Sequence, residues 1–148
     1  MVIDKTPVSE LDVVGVWGRL RAEATAQLID VRTRAEWTFV GVPDLSEVGK
    51  EPLLMEWQSA PGSQPVPTFA KTLDAELSAR GLDKSTNLYF ICRSGARSLS
   101  AARAMAALGY SHCHNVTDGF EGPLGPGADR HCGKIAGWKF AKLPWVQG

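Results

Sequence analysis

The stretch "NLYFICRSGARS", residues 87–98, joins an apolar run to a polar loop that leads into an alanine-rich segment. The run 87–91 predicts a buried strand because it is short, apolar and contains aromatic and β-branched residues. Ala, Leu, Met and Arg dominate residues 97–108, which predicts a helix that stops at Gly109. A strand, a polar loop and a helix in this order are typical of an α/β protein.

Further apolar runs and helical periodicities extend this pattern along the chain. Short apolar runs predict strands near residues 11–13, 26–31, 52–57 and 112–116. Helical spacing of apolar residues predicts helices at about 14–23 and from Phe69 to a glycine C-cap at Gly81, with a turn or short helix at 32–37. We therefore expect an α/β fold with a mainly parallel central sheet and helices on both faces.

The composition is that of an ordinary globular domain. The chain has 148 residues, 44% of them hydrophobic, and its 16 basic residues balance 16 acidic ones. This balance gives no basic excess for nucleic acid or for an anionic membrane surface. No apolar run approaches the roughly 20 residues that span a bilayer. We expect a single domain over residues 1–148, with an irregular extension rich in glycine and proline from about residue 123.

The cysteines indicate a reducing compartment. Cys92, Cys113 and Cys132 are odd in number and lack the dense, even spacing of a secreted disulfide framework. The N-terminus carries no basic region followed by an apolar signal core. We therefore predict a cytoplasmic protein. A disulfide between Cys92 and Cys132 is a weaker hypothesis, since sequence gives no distance between them.

Histidines beside two of these cysteines raise the question of a zinc site. His112 and His114 flank Cys113 in a predicted strand, where alternate residues face opposite sides of the sheet. Neither this group nor the later pair of His131 and Cys132 contains a CxxC motif. We predict no metal site and no cofactor.

The polar loop after residue 91 predicts an anion-binding site around a reactive cysteine. If Cys92 ends a central strand and a helix begins near Arg97, the backbone N–H groups between them lack intrahelical partners. A tight loop turns such donors toward the sulfur, and the helix dipole and the guanidinium groups of Arg93 and Arg97 favour thiolate over thiol. The predicted loop residues are Arg93, Ser94, Gly95, Ala96, Arg97 and Ser98, with Cys92 as nucleophile.

Two residue types in this loop have specific roles in the prediction. Gly95 permits the backbone geometry of a closed loop, and we expect Ser94 or Ser98 to supply a further hydrogen bond. A cysteine at a strand end is most often a small buried apolar residue. Arginines, serines and a glycine directly after it do not continue a core, which favours the functional interpretation.

The motif "CRSGARS", residues 92–98, resembles the active-site loop of the rhodanese family of sulfurtransferases. A second stretch, "LIDVRTRAEW" at 28–37, is similar to the strand and acidic turn of that family, with Asp30, Arg32 and Glu36 in the matching places. A weaker match is "DGFEG" at 118–122, where the family has a glycine-rich turn. The resemblance covers about residues 8–122 and implies a three-layer rhodanese-like domain.

The resemblance also implies a reaction. A donor such as thiosulfate delivers its outer sulfur to the Cys92 thiolate, sulfite leaves, and the loop N–H groups hold the persulfide until a thiolate or cyanide accepts the sulfur. Arg97 matches the loop-closing arginine of the family, and Arg93 is expected to contact an anionic donor. Asp30, with Arg32 and Glu36, supports the site, and we expect Asp30 to organise the loop because an ionised thiolate needs no general base.

One segment departs from the family pattern. The usual "GHIPGA"-like stretch after the acidic turn is replaced by "GVPDLSEVGKEP", residues 41–52, which lacks the histidine. This longer insert bears on substrate specificity more than on the core reaction.

Two alternative functions share the same cysteine. Cysteine phosphatases and arsenate reductases place five residues between cysteine and the clamping arginine, whereas four separate Cys92 from Arg97 and Ser98 comes next. This spacing favours a sulfur atom over a phosphate. The other alternative is a persulfide carrier or regulatory module that serves one protein partner, and the sequence separates it poorly from a free enzyme.

The tryptophans are numerous for this length. Trp17 and Trp37 fit core positions, whereas Trp138 and Trp145 lie in the tail. The motif "GWKFAKLPW", 137–145, resembles an extension of some bacterial single-domain rhodaneses. We expect its aromatic rings to anchor the tail to the domain surface, with a role at the border of the catalytic pocket as the alternative.

Overall fold

Short strands and helices alternate along the chain in the computed structural model, which describes residues 8–59, 64–122 and 137–147. In chain order the elements are β1 (Val8–Leu11), α1 (Val13–Ala22), β2 (Gln27–Asp30), α2 (Arg34–Phe39), β3 (Val42–Pro43), a 3-10 helix (Ser46–Val48), β4 (Leu53–Leu54), β5 (Gln58–Ser59), β6 (Gln64–Pro65), α3 (Phe69–Ala79), β7 (Leu88–Ile91), α4 (Ala96–Ala107), β8 (Cys113–Val116) and β9 (Trp145–Val146).

The central sheet has five strands in the order β1-β8-β7-β2-β4, and every neighbouring pair is parallel. The prediction of a mainly parallel sheet is therefore confirmed. Because all five strands run the same way, their carboxyl ends meet at one edge of the sheet. Asp30 of β2 pairs with Ile91 of β7, so the segments that follow these two strands leave the sheet side by side.

Two apolar cores lie on opposite faces of this sheet. On one face, α3 and α4 pack against alternate strand residues such as Ile29 and Phe90. On the other, α1 packs against Leu28 and Tyr89. Every residue of β7 is buried, as expected for a central strand covered on both faces. The predicted three-layer arrangement with helices on both faces is confirmed.

Local side-chain chemistry explains where two of the helices begin. Asp12 caps α1 by accepting a hydrogen bond from Gly15 N at 2.8 Å. Thr33 and Glu36 form a capping box at the start of α2, each side chain accepting a hydrogen bond from the other residue's backbone N–H. None of the helices in the described ranges is long and apolar enough to cross a bilayer.

Some predicted boundaries differ from the structure. The first strand ends at Leu11 rather than Val13, because Asp12 already caps α1. The predicted strand at 52–57 pairs in the central sheet only at Leu53–Leu54. Its remainder stays beside β2 through backbone hydrogen bonds from Met55 N to Asp30 O and from Trp57 N to Val31 O.

Candidate active site

Cys92 directly follows β7 at the carboxyl edge of the sheet, and only 1% of its surface is exposed. Its Sγ lies 3.1 Å from Gly95 N, which donates to it, and 3.2 Å from Ser98 Oγ. Helix α4 begins at Ala96, and Leu99 N is bonded to Gly95 O as in the first helical turn. The backbone N–H groups of α4 that precede Leu99 therefore have no carbonyl partner within the helix.

Gly95 makes this loop possible through its backbone. Its φ is 110°, a region that other residues rarely adopt, and a Cβ at this position would lie 2.5 Å from Thr117 O. Of the loop amides named from the sequence, Gly95 N is the one that contacts the sulfur in the described residues. The loop therefore places one backbone donor and one hydroxyl around Sγ.

Ser98 joins the sulfur to a residue that the sequence did not single out. Ser98 Oγ lies 2.5 Å from Oδ1 of Asn115, a residue of β8. Asn115 Nδ2 donates to Gly95 O at 3.1 Å and to Glu10 Oε1 at 3.4 Å. The sequence signal for Asn115 is a polar residue inside the predicted strand 112–116, and the structure buries it with 2% exposed.

The turn at 118–122 holds the loop from the other side. Phe120 N donates to Cys92 O at 2.8 Å, and Glu121 N and Gly122 N both donate to Arg93 O at 3.0 Å. The N–H of a trans peptide points opposite to its C=O. Because Arg93 O faces the turn, the Ser94 N–H of the same peptide group is directed away from it. A Cβ added at Gly119 would collide with Arg93 O.

Arg97 forms an ion pair rather than a free positive group near the sulfur. Its Nη1 and Nη2 lie 2.6 and 2.9 Å from the two carboxylate oxygens of Glu36. Burial raises the pKa of Glu36, but hydrogen bonds from Arg97 and Thr33 and the Arg97 charge outweigh it and bring the pKa to about 2. Glu36 offsets much of the Arg97 charge, but the Cys92 charge also helps to raise the pKa of Arg97, so its effect on the thiolate stays a prediction.

Asp30 and Arg32 form a second, fully buried ion pair. Arg32 Nε and Nη2 lie 2.9 and 2.6 Å from the Asp30 carboxylate, and Nη2 also donates to Gly41 O at 2.7 Å. Arg32 Cζ lies 4.2 Å from the centre of the Phe120 ring. In the described residues the side-chain hydrogen bonds of Asp30 all go to Arg32. Asp30 therefore reaches the Cys92 loop only indirectly, through Arg32 and Phe120.

The remaining loop side chains face outward to different degrees. Arg93 is exposed, and its guanidinium has no ion pair within the described ranges. Ser94 is half-buried, and Ala96 is exposed at the start of α4. Arg93 is thus a positive charge beside the loop that the described part of the chain does not neutralise.

The tail is attached to the turn at 118–122. Trp138 is fully buried, and Trp138 N donates to Gly119 O at 2.8 Å, while its ring meets that of Trp17 edge to face at 5.8 Å. Lys139 Nζ lies 3.8 Å from the centre of the Trp145 ring. Trp138 is therefore a core residue rather than a surface anchor, whereas Trp17 and Trp37, both expected in the core, are half-buried.

Cys113 and His114, two of the zinc-ligand candidates, make other contacts, and His112 is exposed. Cys113 is buried, which raises the pKa of its thiol to about 12, and its Sγ donates to Tyr110 O. The His114 ring stacks on Tyr89 at 4.6 Å and is hydrogen-bonded to Asn87. His131 and Cys132 lie outside the described residues. Within the described ranges no three metal-ligating side chains form a cluster.

Fold and site together define a rhodanese-like domain, and comparison with known proteins agrees. A family model described as "Rhodanese-like domain" matches residues 16–123. The chain belongs to the rhodanese-like domain family.

Individual relatives extend this similarity over most of the chain. An uncharacterised protein of Rickettsia rickettsii is 36% identical over 120 residues, which are 81% of this chain and 82% of the relative. The crystal structure of Rv0390 from M. tuberculosis has a TM-score of 0.81 at 38% identity, covering 95% of this chain and 98% of that one. A polysulfide-sulfur transferase homodimer from Wolinella succinogenes shares the fold, with a TM-score of 0.57 at 20% identity over 95% of this chain and 80% of its own.

Proposed function

We propose that the protein is a sulfurtransferase in which Cys92 carries the sulfur. The Cys92 thiolate attacks the outer sulfur of a donor such as thiosulfate. A new S–S bond forms, the donor's own S–S bond breaks, and sulfite leaves with the electron pair. An acceptor thiolate or cyanide then attacks the outer sulfur of the persulfide, and the Cys92 thiolate leaves. Each step is a displacement at sulfur and needs no cofactor.

The observation that carries this proposal is the identity of the groups around Sγ. The Gly95 N–H and the Ser98 hydroxyl lie within 3.2 Å of the sulfur, and both suit a single polarisable atom. A tetrahedral phosphate or arsenate needs a guanidinium inside the loop. Arg97 is paired with Glu36, and Ser98 occupies the position where a phosphatase loop has its arginine. The geometry therefore favours sulfur transfer over phosphate chemistry.

Arg93 is the proposed contact for an anionic donor. It directly follows Cys92, is exposed and has no ion pair in the described ranges. A sulfonate-like group has the charge and the acceptor oxygens that a guanidinium binds. We propose a small sulfur donor and a thiol, cyanide or protein acceptor, with no nucleic acid or membrane partner and with action in the cytoplasm.

Intact-mass analysis after incubation with thiosulfate tests the central step. The native protein should gain one sulfur atom, and Cys92→Ser should gain none. Cys113→Ser is the matched control, because Cys113 is buried in β8 and should leave the gain unchanged. A sulfur gain that survives Cys92→Ser would refute the assignment.

A persulfide carrier for one protruding protein acceptor is the second candidate, because only 1% of the surface of Cys92 is exposed. A sulfur buried so far down is accessible only to a small or protruding acceptor. Steady-state assay with thiosulfate and cyanide separates the two functions. Rapid turnover supports the free enzyme, and a negligible rate with an intact persulfide supports a carrier that serves one protein partner.

A further inference from the structure

The hydroxyl of Ser98 lies between three groups that can accept its proton. Ser98 Oγ is 2.5 Å from Asn115 Oδ1, 3.2 Å from Gly95 O and 3.2 Å from Cys92 Sγ. Ser98 and Asn115 are 0% and 2% exposed, so bulk water does not replace a lost partner. Because a hydroxyl carries one proton, it can donate fully to only one of these acceptors at a time.

The side chain of Asn115 is held in one orientation. Its Nδ2 faces Gly95 O at 3.1 Å and Glu10 Oε1 at 3.4 Å. A carbonyl and a carboxylate accept hydrogen bonds, so the NH₂ end of the amide must face them. The oxygen end therefore faces Ser98, and the short 2.5 Å contact means that Ser98 donates to Asn115.

This arrangement has opposite consequences for the thiol and for the thiolate. While Ser98 donates to Asn115, a Cys92 thiol can donate its own proton to Ser98 Oγ. A thiolate has no proton and only accepts hydrogen bonds. To stabilise it, Ser98 must turn its O–H toward the sulfur and leave the Asn115 oxygen without that donor. Asn115 and the thiolate therefore compete for the same proton.

We propose that Asn115 is a positioning residue that acts through Ser98 and sets how readily the Cys92 thiolate forms. The proposed effect of Asn115 on thiolate formation does not depend on which substrate the protein uses. The extension to the persulfide, whose terminal sulfur also accepts the Ser98 hydrogen bond, rests on the proposed sulfurtransferase function.

The other charged groups around the loop come from several elements and are unchanged in Asn115 variants. Arg97 of α4 is paired with Glu36 of α2, and Asp30 of β2 is paired with Arg32. Arg93 lies in the loop itself. Glu10 of β1 contacts the Asn115 amide directly, so Glu10→Gln serves as a control that keeps an acceptor in place.

The test is the pH dependence of Cys92 alkylation by iodoacetamide, followed by peptide mass mapping so that other cysteines do not interfere. Asn115→Leu removes the competing acceptor at similar size. Its alkylation profile should move to lower pH, with a threefold to tenfold faster reaction at a fixed pH below the midpoint, about the effect of one hydrogen bond. Glu10→Gln should leave the profile in place.

Ser98→Ala decides whether Asn115 acts through the hydroxyl. Alone, it should move the profile to higher pH, because the thiolate loses a donor. In the Ser98→Ala background, Asn115→Leu should have no further effect. An equal shift in both backgrounds would overturn the proposal, because a purely structural role of Asn115 predicts that result. The absence of a shift in the native background would also overturn it, because Asn115 would then have no effect on the thiolate.

A second variant keeps the proposal testable if Asn115→Leu does not fold. Asn115→Asp retains an acceptor for Ser98 and adds a negative charge, so its profile should move to higher pH, and a move to lower pH contradicts the proposal. Circular dichroism establishes that each variant is folded. Alkylation needs no sulfur donor, so a protein that gains no sulfur from thiosulfate would refute the proposed function while leaving this coupling measurable.

Discussion

The ends of β2 and β7 lie side by side in the sheet, yet their polar groups are used in different ways. At the end of β2, Asp30 and Arg32 are 0% exposed and bond mainly to each other. At the end of β7, the sulfur of Cys92 contacts one amide and one shared hydroxyl, and the first amides of α4 have no intrahelical partner.

This difference separates a structural polar group from one suited to chemistry. The Asp30 carboxylate is fixed by its hydrogen bonds to one buried guanidinium, of which only Nη1 has no partner in the described residues. The sulfur of Cys92 instead contacts a hydroxyl that it shares with Asn115 and Gly95 O, so the hydrogen bonds around it can rearrange when the sulfur gains a charge or an added atom.

Removing one member of the buried ion pair should have the largest effect on stability. Asp30→Leu leaves the Arg32 guanidinium buried without its carboxylate, which should lower the free energy of unfolding by about 3–5 kcal/mol. The double variant Asp30→Leu/Arg32→Leu should recover much of this loss, because no unpaired charge remains. Urea unfolding measures both. A stable Asp30→Leu protein that forms no persulfide would instead make the end of β2 part of the chemistry.

Disturbing the turn that holds the Cys92 loop should have the next largest effect. Gly119 has a φ of 69°, and a Cβ there collides with Arg93 O, so Gly119→Ala should cost about 1–3 kcal/mol and displace the loop. Gly49→Ala is the matched control, with a φ of 72° and open space around its Cβ. The unfolding temperature and the amount of persulfide formed should both be lower in Gly119→Ala than in Gly49→Ala. Equal persulfide formation in the two variants would mean that the turn does not position the loop.

Glu36→Gln should lower stability modestly above pH 4.5, and this difference from the native protein should disappear in acid. The Glu36 and Arg97 side chains are about one-fifth exposed, so losing the pair should cost about 1 kcal/mol or less at pH 7. The pKa of Glu36 is about 2 in the folded protein against an ordinary 4.5. Its contribution to stability is therefore present above pH 4.5 and lost as the pH falls toward 2. Stability measured across this window should fall more steeply in the native protein than in Glu36→Gln.

The smallest expected effect is at His114 of β8, whose ring stacks on Tyr89. Burial lowers the pKa of His114 below its ordinary 6.5, so the unfolded chain binds the proton more readily. The stability linked to His114 is complete above pH 6.5 and is lost as the pH falls below it. His114→Phe, which keeps a ring on Tyr89, should flatten this part of the pH profile. Replacing the exposed His112 by Ala should leave the slope unchanged, and a flattened slope there would contradict the assignment to His114.

The sequence predicts the strand, loop and helix around Cys92 because each signal is local. An apolar run gives β7, a glycine permits the turn, and an alanine-rich segment gives α4. The three-layer fold follows from the same alternation of elements. Boundaries of the shortest strands were less predictable, because caps and backbone pairing decide them rather than composition.

The partners of the site could not be predicted in the same way. Asn115 lies near the loop because β8 pairs with β7 in the register that places it opposite Phe90. Glu36 and Arg97 were both named from the sequence, but their pairing spans 61 residues and depends on how α2 and α4 sit around the sheet. Such contacts are set by tertiary packing, and no local pattern encodes them.

The attachment of the tail has a consequence for synthesis of the chain on the ribosome. Trp138 completes the core beside α1, and Gln147 bonds to Phe39 across 108 residues of sequence. Contacts between such distant segments form late, because long loops must close first. The Cys92 loop precedes the turn at 118–122 and the tail along the chain, so it leaves the ribosome before the segments that hold it in the folded protein.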